Sequence, residues 1–330
     1  MRKKFTAFAL MMMLAIPCST AQLHAQTKEL KKIRLSVFRT DAAMVAARVH
    51  GYFAAEGLDD EITATPNSTE QMRGVSQGKF EIISTGFDNV LAWSGRLSAE
   101  AQAGEGAEIV AVAQISDKTV LPLFVRPEIK SWSDLKGKKL AADAVDTAFA
   151  LVLRRILLAN GLDMTRGDYE LVALGTTRLR LESMIKGETF GGMLFPPFDA
   201  KALDAGLRRI GDSREVLPDY PNRLFAVNRE WGQKNRDTLV SYLRAWLKGM
   251  SWTTDPLNRE AAIKMIGAEL KLNPKQAAES VDELSSTGNL NLPGLQTVLD
   301  LRTQFGFKLI KGGNLPVYYD TAYFNAARGK

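Results

Sequence analysis

The sequence predicts an α/β protein whose chain builds two lobes and ends in a helical region. Apolar segments of strand length alternate with helical segments from residue 33 to residue 210. Proline and turn residues around 218–222 suggest a crossing back between lobes. From residue 235 onward, apolar residues recur at helical spacing. These observations together predict two sheet-based lobes followed by extra C-terminal helices.

The most informative segment is residues 136–163, which reads as a strand, a polar loop and a helix. Leu140–Ala142 is the predicted strand, Asp143–Asp146 the loop, and apolar residues fall at helical spacing from Thr147 until Gly161 ends the helix. A helix that opens directly from a strand end presents unpaired backbone N–H groups and a positive dipole. This geometry favours a binding site, although an ordinary β-α unit with Asp146 as a helix cap is the alternative.

Four strands are predicted ahead of that segment, with helices between them. They are Ile33–Phe38, Asp60–Thr65, Phe80–Ser84 and Ile109–Ala113. One intervening helix carries Val45 and Phe53 on a single face, Ser68 is the predicted cap of the next, and Asp88 of a third. This rhythm predicts a parallel sheet covered on both faces, with ligands at the carboxyl ends of the strands.

The second half repeats the pattern before it turns helical. The predicted strands are Leu121–Val125, which crosses into a second lobe, then Tyr169–Leu174, Gly192–Phe195 and Leu207–Ile210. The predicted helices are Leu179–Lys186, Phe198–Ala205, Asn235–Thr253, two that open at Asp255-Pro256 and Asn273-Pro274, and one carrying Leu295 and Phe305.

Residues 1–25 have the pattern of a secretory signal peptide. Three basic residues precede an apolar run from Phe5 to Ile16 that is too short to span a bilayer, and cleavage after Ala21 or Ala25 is expected. Pro17 directly before Cys18 argues against lipid attachment at that cysteine. The leader predicts a periplasmic location.

Removing the leader changes the charge balance. Its three basic residues account for half of the formal net charge, which falls from +6 to +3. Basic residues are scattered among acidic ones, so the sequence argues against a nucleic-acid surface. Past the leader the chain has no cysteine and one histidine, His50, which excludes a Cys/His pair and a histidine metal cluster. No cofactor or metal is predicted, and we expect a binding protein rather than an enzyme.

Five segments resemble a known family. They are GYFAAEGLD (51–59), SQGKFEIISTG (76–86), VRPEIKSWSDLKGKKLAADAVDT (125–147), LLANGLD (157–163) and PPFDA (196–200). Their order is similar to that of the periplasmic solute-binding proteins of the sulfonate, nitrate, taurine and thiamine-precursor ABC transporters. The resemblance implies a type II periplasmic binding protein fold with two lobes around a ligand cleft, and delivery of a small molecule to a permease and ATPase complex. The chain departs from the family at Gly191, where an acidic residue is common, and at Arg39, where a smaller or amide residue is expected.

The expected organisation assigns residues 26–119 and 223–330 to lobe 1 and residues 120–222 to lobe 2, in a protein that acts as a monomer. Ligand bridging both lobes would select a closed state, because only there are both sets of contacts made. The candidate ligand-binding residues lie on the loops that face the cleft: Phe38, Arg39, Thr40, Asp41, Thr85, Gly86, Phe87, Asp88, Asp143, Asp146, Thr147, Ala148, Thr177 and Phe195.

The charge of the ligand stays open at this point. Arg39 favours an anion such as a sulfonate or carboxylate, unless it bonds to its own loop as a surface residue. If it binds the anion, Arg39→Ala should weaken binding by about tenfold. Asp143 and Asp146 favour an amine or aminopyrimidine. An importer binding protein, a periplasmic sensor that presents its ligand to a membrane receptor, and an enzyme are the three functional hypotheses, of which the missing catalytic motifs disfavour the third.

Overall fold

Two five-stranded β-sheets form the framework of the protein. The computed structural model describes residues 29–95, 107–117, 120–146, 148–195, 198–309 and 311–329. The predicted leader, Thr147 and the Pro196-Pro197 pair lie outside the described residues. Each sheet is assembled from separate parts of the chain, which passes from the first sheet to the second and back.

The strands fall close to their predicted positions, with one addition. They are β1 Lys31–Val37, β2 Leu58–Ala64, β3 Ile82–Gly86, β4 Ile109–Gln114, β5 Pro122–Val125, β6 Lys138–Ala142, β7 Tyr169–Ala173, β8 Gly191–Met193, β9 Arg208–Asp212 and β10 Arg223–Asn228. The first sheet has the order β2-β1-β3-β10-β4, and the second has the order β7-β6-β8-β5-β9. In each, three neighbouring strands run parallel.

The expectation of a purely parallel sheet is wrong. β10 runs antiparallel to both β3 and β4, and β5 runs antiparallel to both β8 and β9. β10 itself was not predicted, since no strand was expected between the crossing at 218–222 and the helices that begin near residue 235. Its first five residues are buried, so it shows none of the alternation of a half-exposed strand.

Thirteen α-helices accompany the strands in the described part of the chain. They are α1 Ala42–Val49, α2 Tyr52–Ala55, α3 Ser68–Ser76, α4 Phe87–Trp93, α5 Ala148–Ala159, α6 Thr177–Lys186, α7 Phe198–Asp204, α8 Arg229–Lys234, α9 Arg236–Thr254, α10 Arg259–Leu270, α11 Pro274–Asp282, α12 Leu292–Gln304 and α13 Ala322–Ala327. None of the helices described is long and apolar enough to span a membrane.

Three local predictions about helix ends need correction. The helix expected to carry both Val45 and Phe53 is broken at Gly51, whose φ of 69° is left-handed. Asn67, not Ser68, caps α3, because its side chain accepts from the N–H of Glu70 at 2.8 Å. Asp88 lies inside the first turn of α4, which leaves its carboxylate free for a contact outside the helix.

The first sheet is packed most tightly where α9 crosses α1. A Cβ on Gly249 would lie 2.3 Å from the carbonyl oxygen of Ala43, so the close approach of the two helices requires glycine at that position. Beside it, the buried ring of Trp246 meets Phe225 of β10 edge-on at 5.2 Å, and its Nε1 donates to Asp41 at 3.2 Å. The long C-terminal helix thereby fixes the loop that follows β1.

The two crossings between the sheets are bonded to each other. The backbone N–H groups of Ile115 and Ser116 in the first crossing both donate to the carbonyl of Arg223 at the end of the second. At the other end, the backbone N–H of Leu121 donates to the hydroxyl of Ser213, and the backbone N–H of Ser213 donates to the carbonyl of Leu121. Hydrogen bonds at both ends thus join the described parts of the two crossings.

Candidate functional site

Three loops converge at one edge of the second sheet. β6, β7 and β8 run parallel, and Asp143, Gly175 and Phe195 follow close after their carboxyl ends. The carboxyl ends of parallel strands meet at one edge and form the usual ligand crevice of such sheets. The backbone N–H of Gly175 donates to the carbonyl of Asp143 at 3.0 Å, so two of these loops are joined directly.

Arg180 of α6 lies in a small concavity at this edge. Arg180 is 3% exposed. The concavity is lined by Arg180 together with Ala141, Ala142, Asp143, Phe149, Ala150, Leu153 and Met193. The Arg180 guanidinium donates to the carbonyl of Gly175 at 2.9 Å and to the hydroxyl of Thr177 at 3.0 Å, while Nε is buried with no acceptor. Among the described residues, no carboxylate lies within ion-pair distance of it.

Burial lowers the pKa of Arg180, and the carboxylate of Asp143 opposes this shift from beyond hydrogen-bond contact. A buried guanidinium without a carboxylate partner is expensive, because desolvation removes hydration that neutral acceptors replace incompletely. The same group is a strong donor for any anion that enters, and the planar fork of arginine suits a sulfonate or carboxylate. Arg180 is thus a candidate anion ligand at this edge of the second sheet.

Phe149 lines the concavity, and the ring of Phe195 packs against it. The rings of Phe149 and Phe195 lie 5.0 Å apart, and the guanidinium of Arg180 lies 5.8 Å from the Phe195 ring. The alanine, leucine and methionine side chains around Phe149 make the rest of the lining mostly apolar.

The other predicted residues of this lobe lie around the same edge. Ala148 begins α5 and is half-buried, whereas Asp146 is exposed ahead of it. Thr177, in the first turn of α6, accepts the hydrogen bond from Arg180. The structure therefore brings Asp143, Thr177 and Phe195 together around Arg180.

The loop after β1 in the first lobe is arranged differently. Phe38 is 44% exposed and Thr40 is half-buried, while Asp41 is fully buried and caps α1 through the N–H of Met44 at 2.9 Å. The side chain of Arg39 is 56% exposed and forms an ion pair with Glu283. Arg39 thus has a carboxylate partner within the protein, and this arrangement differs from that of Arg180.

Arg223, at the start of β10, completes that cluster. It pairs with the second oxygen of Glu283 and donates to the carbonyl of Arg39 at 3.1 Å. Burial lowers the pKa of Arg223, and Glu283 and Asp41 oppose the shift. Burial also raises the pKa of Asp41, against the attraction of Arg223. The predicted loop 38–41 is held to the crossing by these charges.

The expectation of a loop after β3 is wrong, because Thr85 and Gly86 end the strand and Phe87 begins α4 directly. This junction is mostly buried and leads to a second internal ion pair. Thr85 accepts from Asn89 at 2.9 Å, Gly86 precedes α4, and Phe87 is packed in the core. Asp88 accepts from Arg302 of α12 at 2.8 Å, with both side chains almost fully buried. Burial raises the pKa of Asp88 to about 6, and Arg302 opposes this shift.

Sequence reasoning missed Arg180, Arg223 and Arg302, although one signal was present for the first. In α6 the buried positions Arg180, Leu181 and Met184 recur at helical spacing, which places a charged residue on an apolar stripe. Arg223 and Arg302 lie in segments that carried no binding motif, and their contacts join residues far apart in the chain.

The two sheets, their paired crossings and the loops at their facing edges define the fold of the periplasmic solute-binding proteins. The chain belongs to the NMT1/THI5-like family, whose model matches residues 40–258. The predicted fold class and family resemblance are both confirmed by these findings.

Similar proteins of known structure include two periplasmic binding proteins. The alkanesulfonate-binding protein SsuA of Xanthomonas axonopodis pv. citri, solved with bound MOPS, is 16% identical with a TM-score of 0.66, over 89% of this chain and 99% of that one. The nitrate-binding protein NrtA of Synechocystis PCC 6803 is 11% identical with a TM-score of 0.71, over 91% and 89%. In sequence, the proposed binding protein YtlA of Bacillus subtilis (strain 168) is 24% identical over 293 residues, which are 83% of this chain and 80% of that protein.

Proposed function

We propose that the protein is the solute-binding component of an ABC import system and captures a small organic anion, such as a sulfonate or carboxylate. The observation that supports this most directly is Arg180, a buried arginine at the strand edge with no carboxylate partner among the described residues. The family and the fold support the class of binding protein. The mostly apolar side chains around Arg180, Phe149 among them, support an organic rather than a purely inorganic anion.

In this proposal the anion binds at the edge of the second sheet and the first lobe closes over it. The residues that contribute are Arg180, the backbone around Gly175, and the loop from Asp143 to the start of α5. A helix N-terminus adds favourable potential for an anion. Closure is favoured because contacts from both lobes form only in the closed state, and the paired crossings provide the hinge. The closed complex then delivers the solute to a permease and ATPase.

The main rival ligand is an aminopyrimidine or another amine, which Asp143 and Asp146 would favour. The third carboxylate near the cleft, Asp88, is already neutralised by Arg302, whereas Arg180 has no such partner. We therefore place the anion ahead of the cation. A periplasmic sensor would use the same cleft, and pull-down with the membrane components of an importer separates those two roles.

A thermal-shift panel tests the proposal. At a concentration about 100 times its dissociation constant, a ligand should stabilise the protein by about 2.7 kcal/mol, and each kcal/mol raises the melting temperature by roughly 2 °C in a chain of this size. In a panel of sulfonates, carboxylates, nitrate, taurine and aminopyrimidines, we expect a shift of several degrees from one class of organic anion and none from aminopyrimidines.

The compound should also be recovered unchanged after long incubation with the protein. Chemical turnover would favour an enzyme, and a shift from aminopyrimidines alone would reverse the assigned ligand charge. Absence of a shift from every panel member would remove the proposed ligand classes.

A further inference from the structure

The guanidinium of Arg180 is held by two groups from the segment that leads into α6. Its Nη1 donates to the carbonyl of Gly175 at 2.9 Å, and its Nη2 donates to the hydroxyl of Thr177 at 3.0 Å. Nε is buried and has no acceptor among the described residues. An arginine side chain carries five N–H donors, so the two neutral acceptors fix the outer end of the group while the Nε donor stays available.

The space beside Arg180 is small. The concavity that Arg180 lines has a volume of about 10 Å³, which is room for about one water-sized group. An anion can therefore place a single oxygen beside the guanidinium, while the rest of the ligand lies outside the concavity. Such a space tolerates little error in the position of the donor, because a shift of about 0.5 Å is enough to loosen a binding site.

Thr177 is suited to holding an arginine at this point. It is the half-buried first residue of α6, and Arg180 follows three residues later, so the two side chains share one face of the helix. A β-branched side chain is restricted at χ1, which fixes the hydroxyl relative to the backbone. Thr176 caps α6 by accepting from the N–H of Leu179 at 3.4 Å. The helix is therefore capped without the hydroxyl of Thr177, which serves Arg180.

We propose that Thr177 is a positioning residue of the anion site: its hydroxyl holds the guanidinium of Arg180 so that Nε is left to donate to one oxygen of the bound anion. Thr177 acts through Arg180 rather than by contact with the ligand. This inference rests on the proposed function, since Arg180 is the anion ligand of that proposal. Anion affinity then depends on the orientation of Arg180 as well as on its charge.

Calorimetric titrations with methanesulfonate, benzenesulfonate, nitrate and benzoate compare the native protein with Thr177→Val and Thr177→Ser. Valine keeps the shape of threonine but has no hydroxyl, so Thr177→Val should weaken binding of the anion that the native protein takes by about tenfold. Serine retains the acceptor, so Thr177→Ser should bind that anion within about threefold of the native affinity.

Thr189→Val is the matched control. The hydroxyl of Thr189 is buried and bonded to that of Ser183 on the same helix at 3.0 Å. Its removal deprives α6 of a buried hydrogen bond without touching Arg180, so the urea midpoint should fall while anion affinity stays within about threefold of native. This control separates loss of orientation at Arg180 from a general loosening of α6.

The variant that carries both Thr177→Val and Arg180→Met tests the dependence on Arg180. Because Thr177 acts through Arg180, adding Thr177→Val to Arg180→Met should change the affinity for the same anion by less than about twofold. A further loss of about tenfold in this variant would mean that Thr177 contacts the ligand itself, and would overturn the inference.

Affinity in Thr177→Val that equals or exceeds the native value, or an equal loss in Thr177→Val and Thr177→Ser, also overturns the inference while the proposed function stands. Failure of the native protein to bind any of the four anions overturns both. Should Thr177→Val not fold, Thr177→Ala decides, because alanine also lacks the hydroxyl and favours the helix. Thr177→Ala must then show the same loss of about tenfold.

Discussion

The buried arginines of the two lobes differ in their electrostatic partners. In the first lobe, Arg223 shares Glu283 with Arg39 and lies beside Asp41, so positive and negative charges balance within the protein. In the second lobe, Arg180 is equally buried but is held by a carbonyl and a hydroxyl. The absence of a carboxylate partner for Arg180 among the described residues, rather than the mere presence of charged residues, is our reason for proposing the ligand site in the second lobe.

The difference has an energetic basis. Removing one partner from a buried ion pair leaves an uncompensated charge, which is strongly destabilising, whereas an arginine without a carboxylate already carries part of that penalty in the folded state. Proteins retain such unfavourable groups chiefly where function requires them. The first cluster should therefore matter to stability and Arg180 to binding.

The largest expected effect is on the stability of the first lobe. Arg223→Met should lower the free energy of unfolding by about 3–5 kcal/mol, because Glu283 and Asp41 lose their buried partner. Urea unfolding followed by circular dichroism measures this. Arg166→Ala is the matched control, since Arg166 pairs with Asp168 at the surface and should change stability by less than about 1 kcal/mol. Similar small effects in both variants would mean that the lobe 1 cluster is not an essential ion-pair network.

The opposite result is expected for the second lobe. Arg180→Met should weaken binding of the panel anion by about 1.5–3 kcal/mol, which is roughly ten- to hundredfold. The unfolding free energy should be unchanged or higher, because an uncompensated buried charge is replaced by an apolar side chain of similar length. Calorimetry and urea unfolding on the same preparation provide both numbers.

Arg178→Ala is the control within the same helix. Arg178 is exposed and pairs with Glu182 one turn away, so its removal should alter neither quantity by more than about 0.5 kcal/mol. If Arg180→Met destabilises the protein as much as Arg223→Met and binding is unaffected, the contrast between the lobes is wrong and Arg180 is a structural residue.

The sequence was sufficient for the α/β fold, the family resemblance and most strand positions, because these depend on local apolar pattern and turn chemistry. It also located the Asp143 loop and Phe195, since both follow strands that run parallel. The partners of Arg39 and Asp88 could not be predicted in this way. Glu283 lies 244 residues from Arg39, and Arg302 lies 214 from Asp88, so both pairings depend on how α11 and α12 pack against the first sheet.

β10 illustrates the same limit at the level of the fold. A short, fully buried strand between a turn and a helix has no periodic signal, yet it lies between β3 and β4 and carries Arg223 to the cleft edge. Because the sequence pattern does not reveal β10, it could predict neither the antiparallel strand of the first sheet nor the charged cluster that binds Arg39.

A smaller effect concerns the pH dependence of stability in the Asp88 pair. The folded pKa of Asp88 is raised to about 6, so between roughly pH 4 and pH 6 the native state binds more protons than the unfolded state. Its contribution is fully present below the unfolded pKa and is lost as the pH rises through the folded pKa. We expect the unfolding free energy to fall by roughly 1–2 kcal/mol across that window through this group.

The variant that carries both Asp88→Asn and Arg302→Gln isolates the contribution of Asp88. The unfolding free energies of this variant and of the native protein are measured against pH by urea unfolding without ligand. The difference between the two curves should show the fall in unfolding free energy between roughly pH 4 and pH 6. Superimposable curves would show that Asp88 is not the titrating group.

The smallest effect is expected at Arg39, and it is also the residue at which the contrast between the two lobes is easiest to refute. An ion pair of which one side chain is half-exposed contributes about 0–1 kcal/mol to stability, because water screens it and ordering the side chain offsets the attraction. Glu283 retains Arg223 when Arg39 is removed, so no buried carboxylate is left alone. Arg39→Ala should therefore lower the unfolding free energy by less than about 1 kcal/mol and change anion affinity by less than about threefold. The sequence alone suggested about a tenfold loss of affinity for this substitution. A tenfold loss in the calorimetric titration would mean that Arg39 exchanges Glu283 for the ligand during closure, and both lobes would then supply an arginine to the anion.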